Sequence, residues 1–287
     1  MTAGSSKQTR SPALTEAEES PLFVTALAKG LSVLTAFGPS RPAMSLQELA
    51  EATGLNKSTV QRSVFTLEAQ GYLAREPGSR RYRLTVKSLE VGTGYLQTAE
   101  LIERANPYLQ QLNRQTGESC NLLEPWETDM VYVARFTSHK EMPIHVPVGQ
   151  RLPIYCTAAG RAYLSALPEE VAIAYLERCN RVAYTAHTVT ELDALMERLR
   201  RARTDGFAVV TEEIYVSDIA IGACIANADG QPLGAINISV PFSRWRLEQV
   251  RSELVPHLVN TARAITSATR GLKPVGHLAT ILNTQGE

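Results

Sequence analysis

Cysteines are few in this sequence, and they are not spaced like metal ligands. The 287 residues include four cysteines, and none belongs to a Cys-x-x-Cys pair or to a histidine-rich cluster. Structural zinc sites and disulfide-rich domains both need such clusters. The sequence therefore predicts no metal or other cofactor, and free, mostly buried thiols in a protein of the reducing cytoplasm. The four residues are Cys120, Cys156, Cys179 and Cys224.

Long hydrophobic runs are missing as well. No apolar stretch approaches the roughly 20 residues of a membrane-spanning helix, so we expect no membrane partner. The N-terminus has no apolar core behind its charged residues, which is unlike a secretory signal. Residues 1–20 are polar instead, and we expect them to form a disordered tail.

The chain has no net charge, but its charges are unevenly distributed. Lysine and arginine total 29, and so do aspartate and glutamate. From Pro21 to Lys87, however, nine basic and four acidic residues leave a charge of +5, so the rest of the chain carries −5. A basic front part with an acidic remainder is typical of a DNA-binding domain joined to a second domain.

The stretch from Ser45 to Leu84 has the pattern of a winged helix-turn-helix. Ser45 followed by Glu48 predicts a capping box that begins one helix, and Gly54 is suited to end it. Asn56 is a good cap for a second helix. That helix has an apolar inner face and a polar, basic outer face near its start, as a recognition helix in the major groove requires. The inner residues are Val60, Val64 and Leu67, and the outer residues are Lys57, Ser58, Gln61 and Arg62.

After Gly71 the pattern changes to a period of two, which indicates a hairpin. Strands over 72–75 and 80–84 flank Glu76-Pro77-Gly78-Ser79, and Pro followed by Gly is a turn signal. A basic hairpin beside a recognition helix suits a neighbouring groove or its phosphates. Solvated arginines and helix pairs with a polar face are each common, but in this order and spacing they predict DNA binding. The basic residues are Arg75, Arg80, Arg81 and Arg83.

The helix that precedes this stretch, from Leu22 to Phe37, is apolar on more than one face. A surface helix of a small domain needs only one apolar stripe. The second face indicates either a contact in a dimer or further burial inside the same domain.

The rest of the chain predicts a linker and a second domain. Residues 87–99 form the linker helix, weakened by Gly92 and Gly94, and Pro107 should kink the helix over 100–115. Strands at both ends of a run of helices predict one mixed sheet with helices packed on it. The predicted strands are 119–124, 130–136, 144–148, 207–214, 222–227 and 233–240, and the later helices are 156–167, 168–178, 190–203 and 244–269. The expected domains are the tail (1–20), the DNA-binding domain (21–86), the linker (87–99), the second domain (100–270) and a loose C-terminal tail (271–287).

Several short segments of the sequence, taken in order, resemble the IclR-type bacterial transcriptional regulators. The resemblance spans about Ala26 to Ala268, and 36–38 and 160–164 resemble the branch that controls aromatic-acid catabolism. It implies an α+β protein: an N-terminal winged helix-turn-helix, a linker helix and a C-terminal GAF-like mixed α/β effector-binding domain. The matching segments are Ala-Lys-Gly-Leu-Ser-Val-Leu (28–34), Leu-Asn-Lys-Ser-Thr-Val-Gln-Arg (55–62), Leu-Glu-Ala-Gln-Gly-Tyr-Leu (67–73), Arg-Tyr-Arg-Leu-Thr (81–85), Val-Gly-Gln-Arg-Leu-Pro (148–153), Thr-Ala-Ala-Gly-Arg-Ala-Tyr-Leu-Ser (157–165), Gly-Ala-Cys-Ile-Ala (222–226) and Ala-Ile-Asn-Ile-Ser (235–239).

The resemblance also implies partners. These are a double-stranded, pseudo-palindromic DNA operator, a second copy of the chain in a homodimer or homotetramer, and a small organic, often aromatic, acid as effector. Ser63 and Phe65 depart from the family, which usually has leucine and a smaller residue there. Either the recognition helix is rolled slightly or Phe65 fills the space that Ser63 leaves. The implied DNA-binding residues are Ser45, Lys57, Ser58, Thr59, Gln61, Arg62, Arg75, Arg80 and Arg81.

The family's effector pocket maps onto one helix start and the last strands. Independently of that mapping, small residues at 157–160 begin a helix whose unpaired N–H groups suit a carboxylate, and Asn237 and Ser239 share one face of a strand. Asp218 is open to three interpretations: a partner for a ligand hydroxyl or cation, a group that disfavours dianions, or a solvated loop residue. Arg161 is either an anion partner or a surface charge. The implied effector-binding residues are Leu152, Ala158, Ala159, Gly160, Asp218, Ala220, Asn237 and Ser239.

Two other classes of function compete with a ligand-responsive regulator. A cysteine-dependent enzyme would need Cys156 at a helix start as a nucleophile of lowered pKa, with His145 or His187 as its base. No acid stands at a matching position for either histidine. A metal-sensing regulator would need ligand spacing that the sequence does not show. We therefore expect a regulator and not an enzyme.

Overall fold

The computed structural model describes residues 18–140 and 146–274 and divides the chain into two compact units. The first unit ends at Tyr95 and the second begins at Leu96, inside the predicted linker. Within the described ranges, no helix is long and apolar enough to cross a membrane.

The first unit has the element order of a winged helix-turn-helix. The Ser45 hydroxyl accepts a hydrogen bond from the Glu48 N–H at 3.3 Å, and the Ser45 N–H donates to the Glu48 carboxylate at 2.7 Å, so the predicted capping box is confirmed. Gly54 ends that helix with a φ of 71°, which glycine adopts without strain. The elements are α1 (Thr25–Thr35), β1 (Ala43–Ser45), α2 (Leu46–Thr53), α3 (Lys57–Ala69), β2 (Leu73–Arg75), β3 (Arg81–Leu84) and a 3₁₀ turn at Val86–Ser88. The next helix, α4 (Leu89–Thr98), contains the boundary between the two units.

One small hydrophobic core joins the first three helices and the three strands, whereas α4 has no buried residue. The three strands form an antiparallel sheet in the order β1-β3-β2. The sequence predicts β2 and β3, which flank a Pro-Gly turn, but not β1, which has no such turn beside it. This strand depends on a tertiary contact, since Ala43–Ser45 pairs with Arg81–Arg83. The core residues are Val33, Met44, Leu49, Val60, Val64 and Leu73.

The second unit is built on a six-stranded sheet with the order β6-β5-β4-β9-β8-β7. Every neighbouring pair is antiparallel, so the expectation of mixed strand directions is wrong, although one sheet with packed helices is what the structure contains. The elements are α5 (Glu100–Thr116), β4 (Ser119–Trp126), β5 (Asp129–Phe136), β6 (Arg151–Pro153), a 3₁₀ turn (Ile154–Cys156), α6 (Ala158–Ser165), α7 (Glu169–Arg178), α8 (Leu192–Asp205), β7 (Ala208–Thr211), β8 (Asp218–Ala226), β9 (Pro232–Pro241), α9 (Leu247–Gln249), a π-helical turn (Val250–Leu254) and α10 (Val255–Ala268).

The two faces of this sheet carry different layers. On β8, Ile219, Ile221 and Ile225 face a core shared with α5 and α10. Ala220 alternates with them and packs with Ala158 at the start of α6 on the opposite face. Because side chains alternate along a strand, one strand supplies both layers. The face toward α6 is the one on which the candidate effector site lies.

Two predicted elements of the second unit differ from the observed ones. The described part of the predicted strand 144–148 is not a strand, and the strand near it is β6, while His145 and the rest of that segment lie outside the described residues. The predicted continuous helix 244–269 is instead interrupted by the π-helical turn before α10. Pro256 stands in the first turn of α10 and cannot donate a backbone N–H, so a regular helix cannot run through it. The predicted disordered tail up to residue 17 and residues 275–287 of the C-terminal tail also lie outside the described residues.

Candidate functional site

The recognition helix α3 is seated by its apolar face and presents a polar one. Asn56 caps it by accepting the Thr59 N–H at 2.9 Å. Val60 and Val64 are buried in the core, as the sequence predicts. The predicted outer residues Lys57, Ser58, Gln61 and Arg62 are all exposed. This arrangement leaves side-chain donors free to reach base edges or phosphates.

Three predicted DNA-binding residues also have structural roles. The Ser45 hydroxyl accepts the capping hydrogen bond of α2, and the Ser58 hydroxyl donates to Asn56 Oδ1 at 2.8 Å. Thr59 is partly buried, and its N–H is the one that Asn56 caps. These hydroxyl groups lie at the starts of α2 and α3, where unpaired backbone N–H groups favour an anion such as a phosphate.

The hairpin of β2 and β3 is the wing, and its arginines differ in their hydrogen bonds. Arg75 Nε donates to the Ser79 carbonyl at 3.0 Å across the turn. Arg81 reaches back to β1 and α2, with Nη2 2.7 Å from the Ala43 carbonyl and 2.9 Å from Glu48 Oε1. Arg81 therefore braces the wing against the helix pair. Arg80 is exposed at the tip.

Phe65 does not fill the space beside Ser63. Its side chain is 71% exposed, so that interpretation is wrong. A rolled helix is not needed either, because Val60 and Val64 remain on the buried face. The recognition helix thus carries a large apolar side chain on its outer surface.

A cavity of ≈ 240 Å³ lies within the second unit. Residues of β4, β5, β8 and β9 form one wall, and Cys156 and Thr157 before α6 lie on another side. The start of α6 sits close to the sheet because Gly222 has no side chain. A Cβ at that position would lie 2.5 Å from the carbonyl atoms of Ala158.

Six of the eight predicted effector-binding residues line this cavity, and two do not. The six are Leu152, Ala158, Ala220 and the polar residues Asp218, Asn237 and Ser239. Ala159 is buried in the core with α7 and α8 instead. Gly160 packs on the Ile154 carbonyl, and its N–H donates to Thr157 Oγ1 at 3.1 Å. That N–H was expected to be unpaired and accessible, which is wrong because the helix cap uses it.

Polar side chains pair across the strands in the cavity wall. Asn121 and Asn237 are opposite each other on β4 and β9, and Asn121 Nδ2 donates to Asn237 Oδ1 at 2.8 Å. Asn121 Oδ1 is buried and has no hydrogen-bond partner among the described residues. A buried acceptor without a donor is unfavourable, so a ligand hydroxyl placed there would be stabilised.

Asp218 is part of the cavity wall and not a solvated loop residue. It begins β8, and the Ser239 hydroxyl donates to its Oδ1 at 2.7 Å. Burial raises the pKa of Asp218 to about 6, and the hydrogen bond from Ser239 partly opposes that rise. Its carboxyl group therefore changes charge close to physiological pH.

Several lining residues were missed by the sequence analysis. Ser119 and Asn121 alternate with buried apolar residues on β4, which is the signal that identified Asn237 and Ser239 on β9. Tyr132 and Arg135 come from β5, where the near-continuous apolar run concealed them. Burial raises the pKa of Tyr132 and lowers that of Arg135. Arg135 Nη1 donates to the Val146 carbonyl at 2.6 Å.

Ion pairs of buried carboxylates lie at the edge of the cavity. Arg161 is 2% exposed and holds Glu213 through two hydrogen bonds of 2.6 Å, so it is neither a surface charge nor a free anion partner. Glu118 accepts hydrogen bonds from Lys140 and Trp245 Nε1 at 3.2 and 3.0 Å, and it pairs with Arg244. Two acidic side chains of the wall, Glu118 and Glu213, are thus paired with basic neighbours.

The geometry opposes a cysteine-dependent enzyme. Cys156 lines the cavity, but burial raises its pKa to about 12, whereas the enzyme interpretation expected a lowered pKa. His187 is 62% exposed and lies 3.7 Å from Glu212, whereas Cys156 is buried. Among the residues that the structure describes, no three histidine, cysteine or acidic side chains are grouped as metal ligands.

Comparison with known proteins shows which family this chain belongs to. The model of the bacterial transcriptional regulator IclR C-terminal domain matches residues 93–267, and that of the IclR helix-turn-helix domain matches residues 26–77. This chain belongs to the IclR family. It is therefore a DNA-binding transcriptional regulator, as the resemblance implied, in a family of non-enzymatic regulators.

Individual members of the IclR family show how far the similarity extends. The chain is 31% identical to the Pca regulon regulatory protein of Pseudomonas putida, over 85% of this chain and 83% of that protein. It is 30% identical to the p-hydroxybenzoate hydroxylase transcriptional activator of Acinetobacter baylyi, over 85% and 91%. A transcriptional regulator from Rhodococcus sp. RHA1 has the same fold, with a TM-score of 0.75 and 34% identity over 86% and 98%. An IclR homologue from Microbacterium hydrocarbonoxydans, solved with 4-hydroxybenzoate, shares the fold with a TM-score of 0.69 and 22% identity over 86% and 100%.

Proposed function

We propose that this IclR-family protein binds a pseudo-palindromic operator as a homodimer or a dimer of dimers, and that a small aromatic acid controls it. The observation that supports operator binding is the exposed outer face of α3, where Arg62 lies opposite the buried valines and Gln61 is exposed beside it. Such side chains read base edges in the major groove. A two-fold protein needs half-sites about one helical turn apart, or a multiple of that.

Dimerisation is supported by an apolar surface on the first unit. Leu27 and Leu31 lie on one side of α1 and are 62% and 53% exposed, and Val24, which precedes the helix, is 61% exposed. Val33, on another side, is completely buried. A helix with a second, exposed apolar face indicates a protein partner, and we propose that the partner is the same face of a second copy.

Operator binding is tested by measuring DNA affinity. We expect Arg62→Ala to weaken binding to the selected operator by at least tenfold, because a bidentate or phosphate contact of arginine is lost. Glu68→Ala, an exposed change on the same helix, is the matched control. The affinity of the unmodified protein should fall steeply with salt, since several phosphates are neutralised. An Arg62→Ala variant with unchanged affinity would remove Arg62 from the interface.

The proposed effector site is the cavity of the second unit. Its volume of ≈ 240 Å³ exceeds the ~150 Å³ of a cavity known to hold benzene, so one aromatic ring with polar substituents fits. Arg135 is the cation that we assign to the carboxylate, and Asn121 Oδ1 is an acceptor for a ring hydroxyl. The name of the relative from Acinetobacter, a p-hydroxybenzoate hydroxylase transcriptional activator, is consistent with this class of ligand.

The effector proposal is tested by thermal unfolding of the whole protein with 4-hydroxybenzoate and related acids. A ligand present at 100 times its Kd should stabilise the protein by ~2.7 kcal/mol. We expect Asn237→Ala to reduce this shift, because the amide that pairs with Asn121 is lost. Asn180→Ala, outside the cavity lining, is the control. No shift with any acid, while operator DNA still binds, would contradict the pocket assignment alone.

The cellular location of the protein follows from its DNA partner. A bacterial operator is chromosomal DNA, so we place the protein in the cytoplasm.

A further inference from the structure

Phe65 is a large apolar side chain on the outer face of the recognition helix. It is 71% exposed, whereas Val64 beside it is 1% exposed. Ser58, Gln61 and Arg62 precede it by seven, four and three residues. At 3.6 residues per turn, each of these side chains lies within about 60° of Phe65 around the helix axis. The ring therefore belongs to the same face as the side chains assigned to the operator.

A phenylalanine on that face cannot read the polar atoms of base edges. Guanine, adenine and cytosine present mainly acceptors and amino donors to the major groove. Thymine alone presents an apolar group there, its C5 methyl group. We propose that Phe65 determines specificity by packing its ring against the C5 methyl of one thymine in each half-site. This inference rests on the proposed operator binding.

The position along the helix fits such a contact. Phe65 lies about 6 Å further along the axis than Gln61, so the two side chains reach positions one or two base pairs apart. Gln61 and Arg62 then provide the hydrogen bonds to neighbouring bases, and Phe65 adds the apolar contact. No residue of the first unit's core depends on the ring, because the core consists of other side chains.

The test removes single methyl groups from the DNA. An operator is first selected from a random duplex pool with the full-length protein, and each thymine is then replaced, one at a time, by deoxyuridine, which pairs identically but lacks the methyl group. At one thymine per half-site, we expect this replacement to weaken binding of the unmodified protein about three- to tenfold. Phe65→Ala should bind the thymine operator less tightly and lose nothing further at that position.

Four controls separate this contact from other causes. Glu68→Ala, also exposed on α3, should keep the full deoxyuridine effect. Phe65→Leu should keep part of it, because leucine is apolar but smaller. Phe65→Ala should leave the slope of affinity against salt unchanged, since no phosphate contact is removed. Its thermal unfolding should also match that of the unmodified protein, because the ring is exposed.

The outcomes are distinct. If every deoxyuridine replacement weakens binding equally in the unmodified protein and in Phe65→Ala, the proposed thymine contact is wrong. It is also wrong if Phe65→Ala weakens binding only because the dimer dissociates, as measured by sedimentation. If the unmodified protein selects no operator at all, the proposed function itself fails.

Discussion

Asp218 combines a cavity position with a titration near neutral pH. The Ser239 hydroxyl donates to its carboxylate, and burial raises its pKa to about 6. In the unfolded chain an aspartate titrates near 3.8. The folded protein therefore binds a proton more readily than the unfolded chain between these two values. The stability that this group contributes is present below about pH 4 and is lost as pH rises through about 6.

Replacing Asp218 by asparagine should reveal that linkage. Asparagine still accepts the hydrogen bond from Ser239 but cannot ionise. We expect Asp218→Asn to be more stable than the unmodified protein at pH 7.5, by about 1–3 kcal/mol, and the difference to shrink as pH is lowered to 5. Thermal unfolding across this pH range measures it. A difference that does not depend on pH would show that ionisation is not the cause.

Ser239→Ala provides the matched comparison for that experiment. The hydrogen bond from Ser239 lowers the pKa of Asp218, so its removal should raise that pKa further. The fall in stability that begins near pH 4 should then continue to a higher pH than in the unmodified protein. A shift in the opposite direction would contradict the assigned hydrogen bond.

At the scale of elements, the contact of α6 with β8 sets the shape of the cavity. The start of α6 approaches β8 so closely that a Cβ at Gly222 would lie 2.5 Å from Ala158 and 2.7 Å from the Ala159 nitrogen. These atoms are backbone and cannot move without the helix. The glycine therefore determines how near α6 lies to the sheet, and with it one boundary of the candidate effector site.

Adding a methyl group at Gly222 should push this helix away. We expect Gly222→Ala to destabilise the second unit by about 1–3 kcal/mol through overpacking. Gly271→Ala is the control, because its Cβ would meet no atom within 4 Å, and it should change stability by less than about 0.5 kcal/mol. Denaturant unfolding compares the two variants. Equal stability of both would mean that the contact is not tight in solution.

At the scale of the whole molecule, the assembly depends on apolar side chains that one chain leaves uncovered. Leu27 and Leu31 on α1 are more than half exposed although the first unit already has a complete core. Burying such a surface between two copies would remove it from water and place two recognition helices on one DNA duplex.

A charge in that surface should dissociate the assembly. We expect Leu27→Glu to sediment as a smaller species than the unmodified protein and to bind the operator at least tenfold more weakly, because two half-sites are no longer bound together. Gln70→Glu introduces the same charge at an exposed position just after the end of α3 and should do neither. A Leu27→Glu protein that keeps its size and affinity would place the interface on another surface.

Local features of this chain could be predicted from its sequence. The caps Ser45 and Asn56, the helix-ending Gly54 and the turn at Pro77-Gly78 depend on residues only a few positions away. Their geometry is decided by backbone sterics and short-range hydrogen bonds, which the sequence shows directly. The same holds for the alternation of Asn237 and Ser239, which identified one wall of the cavity.

Contacts between distant residues were decided only by the tertiary structure. Asn121 and Asn237 are 116 residues apart and meet through the register of β4 and β9, while Arg161 meets Glu213 across 52 residues. The sequence by itself determined the recognition helix, the wing and the family to which they belong. The fold decided which polar residues enclose the cavity and that Phe65 remains exposed, because burial and strand register depend on how all the elements pack together.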